Sequence, residues 1–401
     1  MGASVRPLGE NAVLGVLLVG ALGLAAGCGS VEARSAAPVR PPSVRGTDRF
    51  TVVGTGDFLL HSVLIEQAAA DSRKGGGYDF MPMLAQLKPV IGQADLAVCH
   101  IETPLGSRSG PFSGYPVFDS PPQIVKAIRR LGYDTCSTAS NHAIDQGERG
   151  VRRTLDALDR AGIGHAGTAR SRREAERIDL RDVKGVKVAH FAYTYGTNGI
   201  PKPSGAPWLV NDTLKPARIL ADAARAKSAG AEVVVVSLHW GEEYRHGPTG
   251  EQRRLARRLL HSDDIDLILG DHVHVVQPFE RINGKWVAYG MGNQVANPSA
   301  NIGATHEGLV ARFTFSRDVR GRWRARPSFV PTFVRPGPPI RLRTLTANSS
   351  AQGVVDDTKR VVRSLGYDVP IAPDDVIRPP SAGPQALRNG EPSQVTSLSK
   401  R

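Results

Sequence analysis

The sequence predicts an α/β fold: a mostly parallel sheet covered by helices, followed by a second, largely antiparallel sheet. Two patterns carry this expectation. Short apolar, β-branched runs alternate with segments whose apolar residues recur at spacings of three and four. Several of those runs end in a carboxylate, an amide or an imidazole, as strands of an open α/β sheet do where they meet a ligand.

In chain order, strands are expected at residues 50–55, 96–101, 133–137, 186–193, 233–238 and 265–269. Helical periodicity marks residues 82–93, 123–131, 147–161, 213–228 and 250–261. Strand-like runs then follow at 275–282, 286–290, 308–315 and 322–333, with Asn283-Gly284 as a hairpin turn. The folded domain is assigned to residues 49–340, a closing helix region to 341–370, and a Pro- and Ser-rich disordered tail to 371–401. At the other end, Arg6 precedes an apolar stretch at 12–26 that is too short for a membrane span and reads as a signal peptide. Residues 1–28, ending Leu24-Ala25-Ala26-Gly27-Cys28, resemble a bacterial lipoprotein signal whose cysteine, Cys28, is lipidated. An uncleaved anchor or ordinary secretion is the alternative. Residues 29–48, rich in Pro, Ala, Arg and Ser, read as a flexible tether. The expectation is an extracytoplasmic domain, lipid-anchored to the outer face of the bacterial cell membrane.

Of 401 residues, 40% are hydrophobic and 22% charged, an ordinary globular composition. The formal net charge of +13 suits a polyanion partner. The basic residues are nevertheless scattered over helix faces, as in Arg152-Arg153 and Arg253-Arg254 with Arg257-Arg258, and no aromatic-interleaved basic stripe marks a nucleic-acid site. Beyond Cys28 only Cys99 and Cys136 remain, each inside an apolar strand. They read as buried small hydrophobes, with a disulfide between them left open.

The strand ends hold the chemistry. Gly270-Asp271-His272-Val273-His274 closes one apolar run; Gly56-Asp57, Glu102, Ser140-Asn141-His142 and His239-Trp240-Gly241 close others. Such nitrogen and oxygen ligands suit zinc, manganese, iron or magnesium rather than a soft thiolate site. A pair of divalent ions that binds the attacking and leaving oxygens of a displacement needs a bridging carboxylate, further oxygen ligands and neutral imidazoles. Asp57, Glu102, Asn141, His239, His272 and His274 supply that set. His142, beside a ligand but free of the metal, is placed to protonate a leaving group or hold its charge. Glu242 and Glu243 read either as contacts to substrate or water or as a solvated approach to a helix, and residues 196–199 with Trp208 as a substrate rim. His165 and His190 read as turn or core groups, and His246, His261 and His306 as surface groups.

Taken together, Gly56-Asp57, Asp95-Leu96 through Ile101-Glu102-Thr103-Pro104-Leu105, Ser140-Asn141-His142-Ala143 with Asp145 and Gly147, His239-Trp240-Gly241-Glu242-Glu243-Tyr244, Gly270 through Pro278, and Met291-Gly292-Asn293 resemble the CapA family. These are capsule-synthesis proteins linked to poly-γ-glutamate and similar to calcineurin-like metallophosphoesterases. The resemblance runs from about Phe50 to Phe333 and implies a four-layer α/β/β/α sandwich of the metallophosphoesterase type. It further implies that Asp57 and His274 hold one metal, Asn141, His239 and His272 the other, and that Glu102 bridges. Two positions depart from the pattern. Leu59 stands where metallophosphoesterases have a histidine two residues after the first aspartate, with His61 offset by two more. His100 stands where the CapA pattern has asparagine, as an extra ligand or a group orienting Glu102.

The function expected is that of a surface-anchored, metal-dependent hydrolase in capsule or poly-γ-glutamate biosynthesis. Its substrate would be a phosphoester or an anionic envelope polymer, and its setting a capsule-synthesis membrane complex. The alternative is a non-catalytic, polyanion-binding accessory for polymer export or attachment.

Overall fold

The computed structural model describes residues 48–72, 76–297 and 302–377. The leader through Cys28 and all but the last residue of the tether lie outside the described residues, as does the chain from 378 onward. The described chain does not stop at 371: a short helix, Asp374–Ile377, buries Val376 and Ile377 against the main body. Residues 371–377, assigned from composition to the tail, are thus part of the folded body, because Val376 and Ile377 find a core that a Pro-rich composition does not announce.

Two sheets form the centre. The first has the order β14-β13-β12-β1-β2-β3-β4, from β1 (Arg49–Phe58), β2 (Leu96–Ile101), β3 (Thr135–Ser137), β4 (Gly164–Ala166), β12 (Glu307–Arg317), β13 (Trp323–Arg335) and β14 (Arg341–Thr344). In it β1 to β4 run parallel, β12 to β14 add antiparallel strands, and β11 (Asn293–Val295) pairs with the end of β1. The second sheet has the order β5-β6-β7-β8-β10-β9, from β5 (Asp179–Val183), β6 (Val186–Thr194), β7 (Val233–His239), β8 (Leu267–Asp271), β9 (Phe279–Ile282) and β10 (Lys285–Ala288). Its centre is parallel and its two edge strands are antiparallel.

The expected division into one parallel and one antiparallel sheet is thus corrected: both sheets are mixed. The reason is the register of the late strands. Phe313 and Phe315 of β12 pair with Val52 and Phe50 of β1 and share their face, so β12 completes the first sheet's apolar surface rather than founding its own.

Three apolar layers fix the stacking. Phe50, Val52, Leu96 and Val98 of the first sheet meet Val188, Val235, Leu267 and Leu269 of the second in the central core. Val53, Ala97, Cys99 and Ile101, on the opposite face of the first sheet, pack on helices that include Ile124–Leu131 and Gly147–Arg160. Val234, Val236 and Ile268 pack on the helices Pro216–Ser228 and Gly250–Leu260. The result is a four-layer α/β/β/α sandwich, in which strands buried on both faces read as unbroken apolar runs. Between β2 and β3 the parallel register sets Cys99 opposite Cys136, and a disulfide joins them at a Cα separation of 4.4 Å.

Candidate metal centre

The carboxyl ends of both sheets meet at one place. Asp57 comes from β1, His100 from β2, Glu102 from just beyond β2, and Asn141 and His142 from the turn after β3. His239 ends β7, Asp271 ends β8, and His272 and His274 follow in a bend. The glycines before the two aspartates explain the repeated Gly-Asp pair. A Cβ on Gly56 would strike the Gly292 carbonyl, and one on Gly270 the Tyr289 carbonyl, so only glycine lets those backbones approach. His272 and His274 have φ of 94° and 58°, a left-handed backbone that non-glycine residues adopt at a cost of about 1–3 kcal/mol each. Both imidazoles are buried on this bend.

All six sequence-assigned ligands are buried and close together. The Asp57 carboxylate accepts from the backbone N–H of His272 at 3.2 Å and contacts His274 Nδ1 at 3.1 Å. Asn141 Oδ1 lies 2.9 Å from His239 Nε2. Glu102 Oε1 stands 3.9 Å from Nε2 of both His239 and His274. His100 lies between two aspartates, Nε2 3.7 Å from Asp57 and Nδ1 3.8 Å from Asp271, with its ring 4.9 Å from that of His239. Ligand-capable atoms group as Asp57, His100 and His239, and as Glu102, His272 and His274.

His61 is placed differently. It precedes the helix Ser62–Ala70, its Nδ1 lies 3.2 Å from the Leu59 carbonyl and 3.1 Å from the Asn297 amide, and its ring packs on Phe118. It belongs to neither ligand group. His142 also packs on Phe118; its Nδ1 is 2.8 Å from Asp145 Oδ2 and its Nε2 3.4 Å from Asn198 Nδ2. Trp208 lines a separate cavity with His165, under the Arg172 guanidinium, so the expected rim keeps Asn198 and loses Trp208.

The electrostatics are those of a cation site. Burial drives the Glu102 carboxyl well above its ordinary range, helped by the charge on Asp57, and does the same to Asp271. Burial lowers His100 to about 4 and His272 to about 3, and takes His239 well down, so these imidazoles are neutral with lone pairs available. Burial also opposes a charge on His274, yet the carboxylates of Glu102 and Asp57 prevail and lift it to about 10. The deciding feature is the set of buried polar atoms without a hydrogen-bond partner: both nitrogens of His100, both carboxylate oxygens of Glu102, Nδ1 of His239 and of His272, and Oδ1 of Asp271. Each such atom costs about 1–3 kcal/mol if left unmet, and every one here is a metal-ligand type. The residues fit divalent metal.

Sequence reasoning passed over Asp271, although it ends an apolar strand by the same rule as Asp57. Asn293, part of the Met291-Gly292-Asn293 motif but given no role by sequence, has its Oδ1 3.0 Å from His274 Nδ1, and Tyr195, which no sequence signal marks, packs its ring 4.7 Å from that of His272.

Residues 51–298 match the family model for the bacterial capsule synthesis protein PGA_cap. The chain belongs to this family. Among PGA_cap-like relatives, it is 26% identical over 267 residues to the capsule biosynthesis protein CapA of Bacillus anthracis, covering 64% of this chain and 62% of that protein. It is 28% identical over 205 residues to the PGA biosynthesis protein CapA of Bacillus subtilis, covering 51% and 52%. A probable polyglutamine synthesis accessory protein of Mycobacterium tuberculosis is 28% identical over 244 residues, covering 56% and 60%. The matched stretch thus spans between about half and two thirds of each relative's length. Solved structures similar to this chain include a putative 5'-nucleotidase from Staphylococcus aureus (TM-score 0.43, 17% identity, 77% of this chain and 58% of that one). A calcineurin-like phosphoesterase from Bacillus subtilis is a second (TM-score 0.41, 16% identity, 70% and 90%).

Proposed function

We propose that this PGA_cap protein is a metal-dependent hydrolase of capsule or poly-γ-glutamate biosynthesis, anchored through a lipid on Cys28 to the outer face of the cell membrane. The observation that carries the reading is the convergence of seven buried, partnerless ligand atoms from two sheets on one centre. Asp57 and His274 would hold one divalent ion, Asn141, His239 and His272 a second, and Glu102 would bridge. The equal spacing of Glu102 Oε1 from His239 and His274 supports the bridge. When bound, such ions supply Lewis acidity and a water of lowered pKa. His100, set between Asp57 and Asp271, would hold the first ion's side of the centre in place.

His142 acts from outside the ligand set. Asp145 holds its Nδ1, so Nε2, 3.4 Å from Asn198 Nδ2, is the nitrogen that would give a proton to the leaving group of a phosphoester or γ-glutamyl bond as that bond breaks. Asn198, beside Nε2, steadies the departing group.

The test is turnover. Protein loaded with manganese or zinc should hydrolyse an aryl phosphodiester or poly-γ-glutamate, and His274→Ala should abolish it. No turnover of either substrate at full metal occupancy overturns the hydrolase reading. Ligand-to-alanine variants that fold and still complement a deletion strain would instead favour a non-catalytic accessory. Failure of Cys28→Ala to abolish fatty-acid labelling would remove the anchor.

A further inference from the structure

A cleft of about 830 Å³ opens beside the metal centre. Tyr195 stands between the two. Its ring lies 4.7 Å from that of His272 and 6.3 Å from that of His239, nearly parallel to the latter, and it also lines the cleft while 45% exposed. Trp240, the residue after His239, is buried and also lines the cleft.

The outer wall is the helix Gly250–Leu260, whose four arginines divide by helical spacing. Arg253 and Arg257 turn to Glu280, at 2.9 and 3.9 Å. Arg254 and Arg258 line the cleft, together with Arg245 from the preceding loop. Two carboxylates line it as well: Glu242, 2.7 Å from Arg245, and Glu251, 3.9 Å from Arg254 and almost fully exposed. Arg258 has no ion-pair partner among the described residues.

We infer that this cleft binds an extended polyanion bearing a carboxylate on each repeat, and leads it past Tyr195 to the metal centre. The destination rests on the hydrolase reading; the cleft's own chemistry does not. Guanidinium groups match carboxylates with forked hydrogen bonds, and Arg254 and Arg258, one helical turn apart, present two such forks in a row. Glu242 and Glu251 can accept from the amide N–H groups of a polyamide chain. Tyr195, an exposed ring at the mouth of a buried site, offers an apolar face to methylene groups. A cleft of this size holds a stretch of chain rather than one small anion.

The experiment measures binding of end-labelled poly-γ-glutamate to the full, manganese-loaded chain by fluorescence anisotropy. Arg254→Glu combined with Arg258→Glu should weaken binding by about tenfold, the combined effect expected of two exposed ion pairs turned repulsive. Both residues are solvent-facing, and an unchanged melting midpoint shows that the variant folds. A matched reversal on the far side of the first sheet, Arg129→Glu with Arg130→Glu, should leave binding unchanged. Equal weakening in the two variants, or none in the first, overturns the cleft. If the wild-type protein hydrolyses nothing but this binding pattern holds, the cleft stands and the hydrolase reading falls. If the wild type cuts the polymer and the cleft variant binds like wild type, the hydrolase reading stands and the cleft falls.

Discussion

Asp145 Oδ2 lies 2.8 Å from His142 Nδ1 and also accepts the backbone N–H of Phe118 at 2.8 Å, so the carboxylate ties the imidazole to the loop that packs on its face. With Nδ1 so engaged, Nε2 is the nitrogen presented to Asn198.

A general acid matters most when the leaving group is a poor one. His142→Ala should therefore lower kcat by roughly 10²–10⁴ on an alkyl phosphodiester or γ-glutamyl amide, and far less on a p-nitrophenyl ester. Asp145→Asn should fall between wild type and His142→Ala. Steady-state kinetics on paired substrates checks this, with metal content expected to be unaltered; equal losses on both leaving groups would refute the assignment.

The metal-free protein should lose stability as pH rises. His274 is raised from 6.5 to about 10 in the fold, so the stabilisation from its proton is fully present below 6.5 and is lost as pH climbs through about 10. Glu102 and Asp271, raised by burial, contribute with the same sign from a lower starting point. Bound divalent metal replaces the proton as the neutralising charge, so its effect should grow with pH. Melting midpoints in chelator and in manganese, measured between these two pH values, should diverge as pH increases; parallel curves would refute the account.

His100 separates Asp57 from Asp271, and neither of its nitrogens has a hydrogen-bond partner. His100→Ala should weaken metal binding roughly 10–100-fold in a chelator competition, the range typical of a group supporting the ligands. His100→Asn, which restores the amide of the CapA pattern, should recover most of the loss. An alanine variant that binds metal like wild type would reduce His100 to a packing group.

The Cys99–Cys136 disulfide closes a loop with a sequence separation of 37. Removing it as Cys99→Ala with Cys136→Ala should cost roughly 3–4 kcal/mol in chemical denaturation. A variant as stable as wild type, or a wild type insensitive to reductant, would show that the link adds nothing beyond packing.

The legible part of the site follows one local rule. A strand buried on both faces is an apolar run, and where it ends the next residue meets the site: Asp57, Glu102, Asn141, His239 and His272 were all found that way. The same rule applies to Asp271, which was passed over because the neighbouring histidines are the more distinctive ligands. Tyr195 carries no such signal, since it is ordinary in its own segment and gains its place only from a neighbour far along the chain; Asn293 stands in a family motif, but its contact with His274 is a matter of tertiary structure.

By itself, therefore, the sequence determined the alternating elements, the strand ends that carry ligand-type residues and the family. Only the tertiary structure decided that the ligands come from two different mixed sheets, that His100 rather than His61 enters the ligand cluster, and that Cys99 faces Cys136. The physical reason is range. Periodicity and capping are set by neighbours a few residues apart, whereas register and the stacking of one sheet on another depend on apolar surfaces matched across the whole chain.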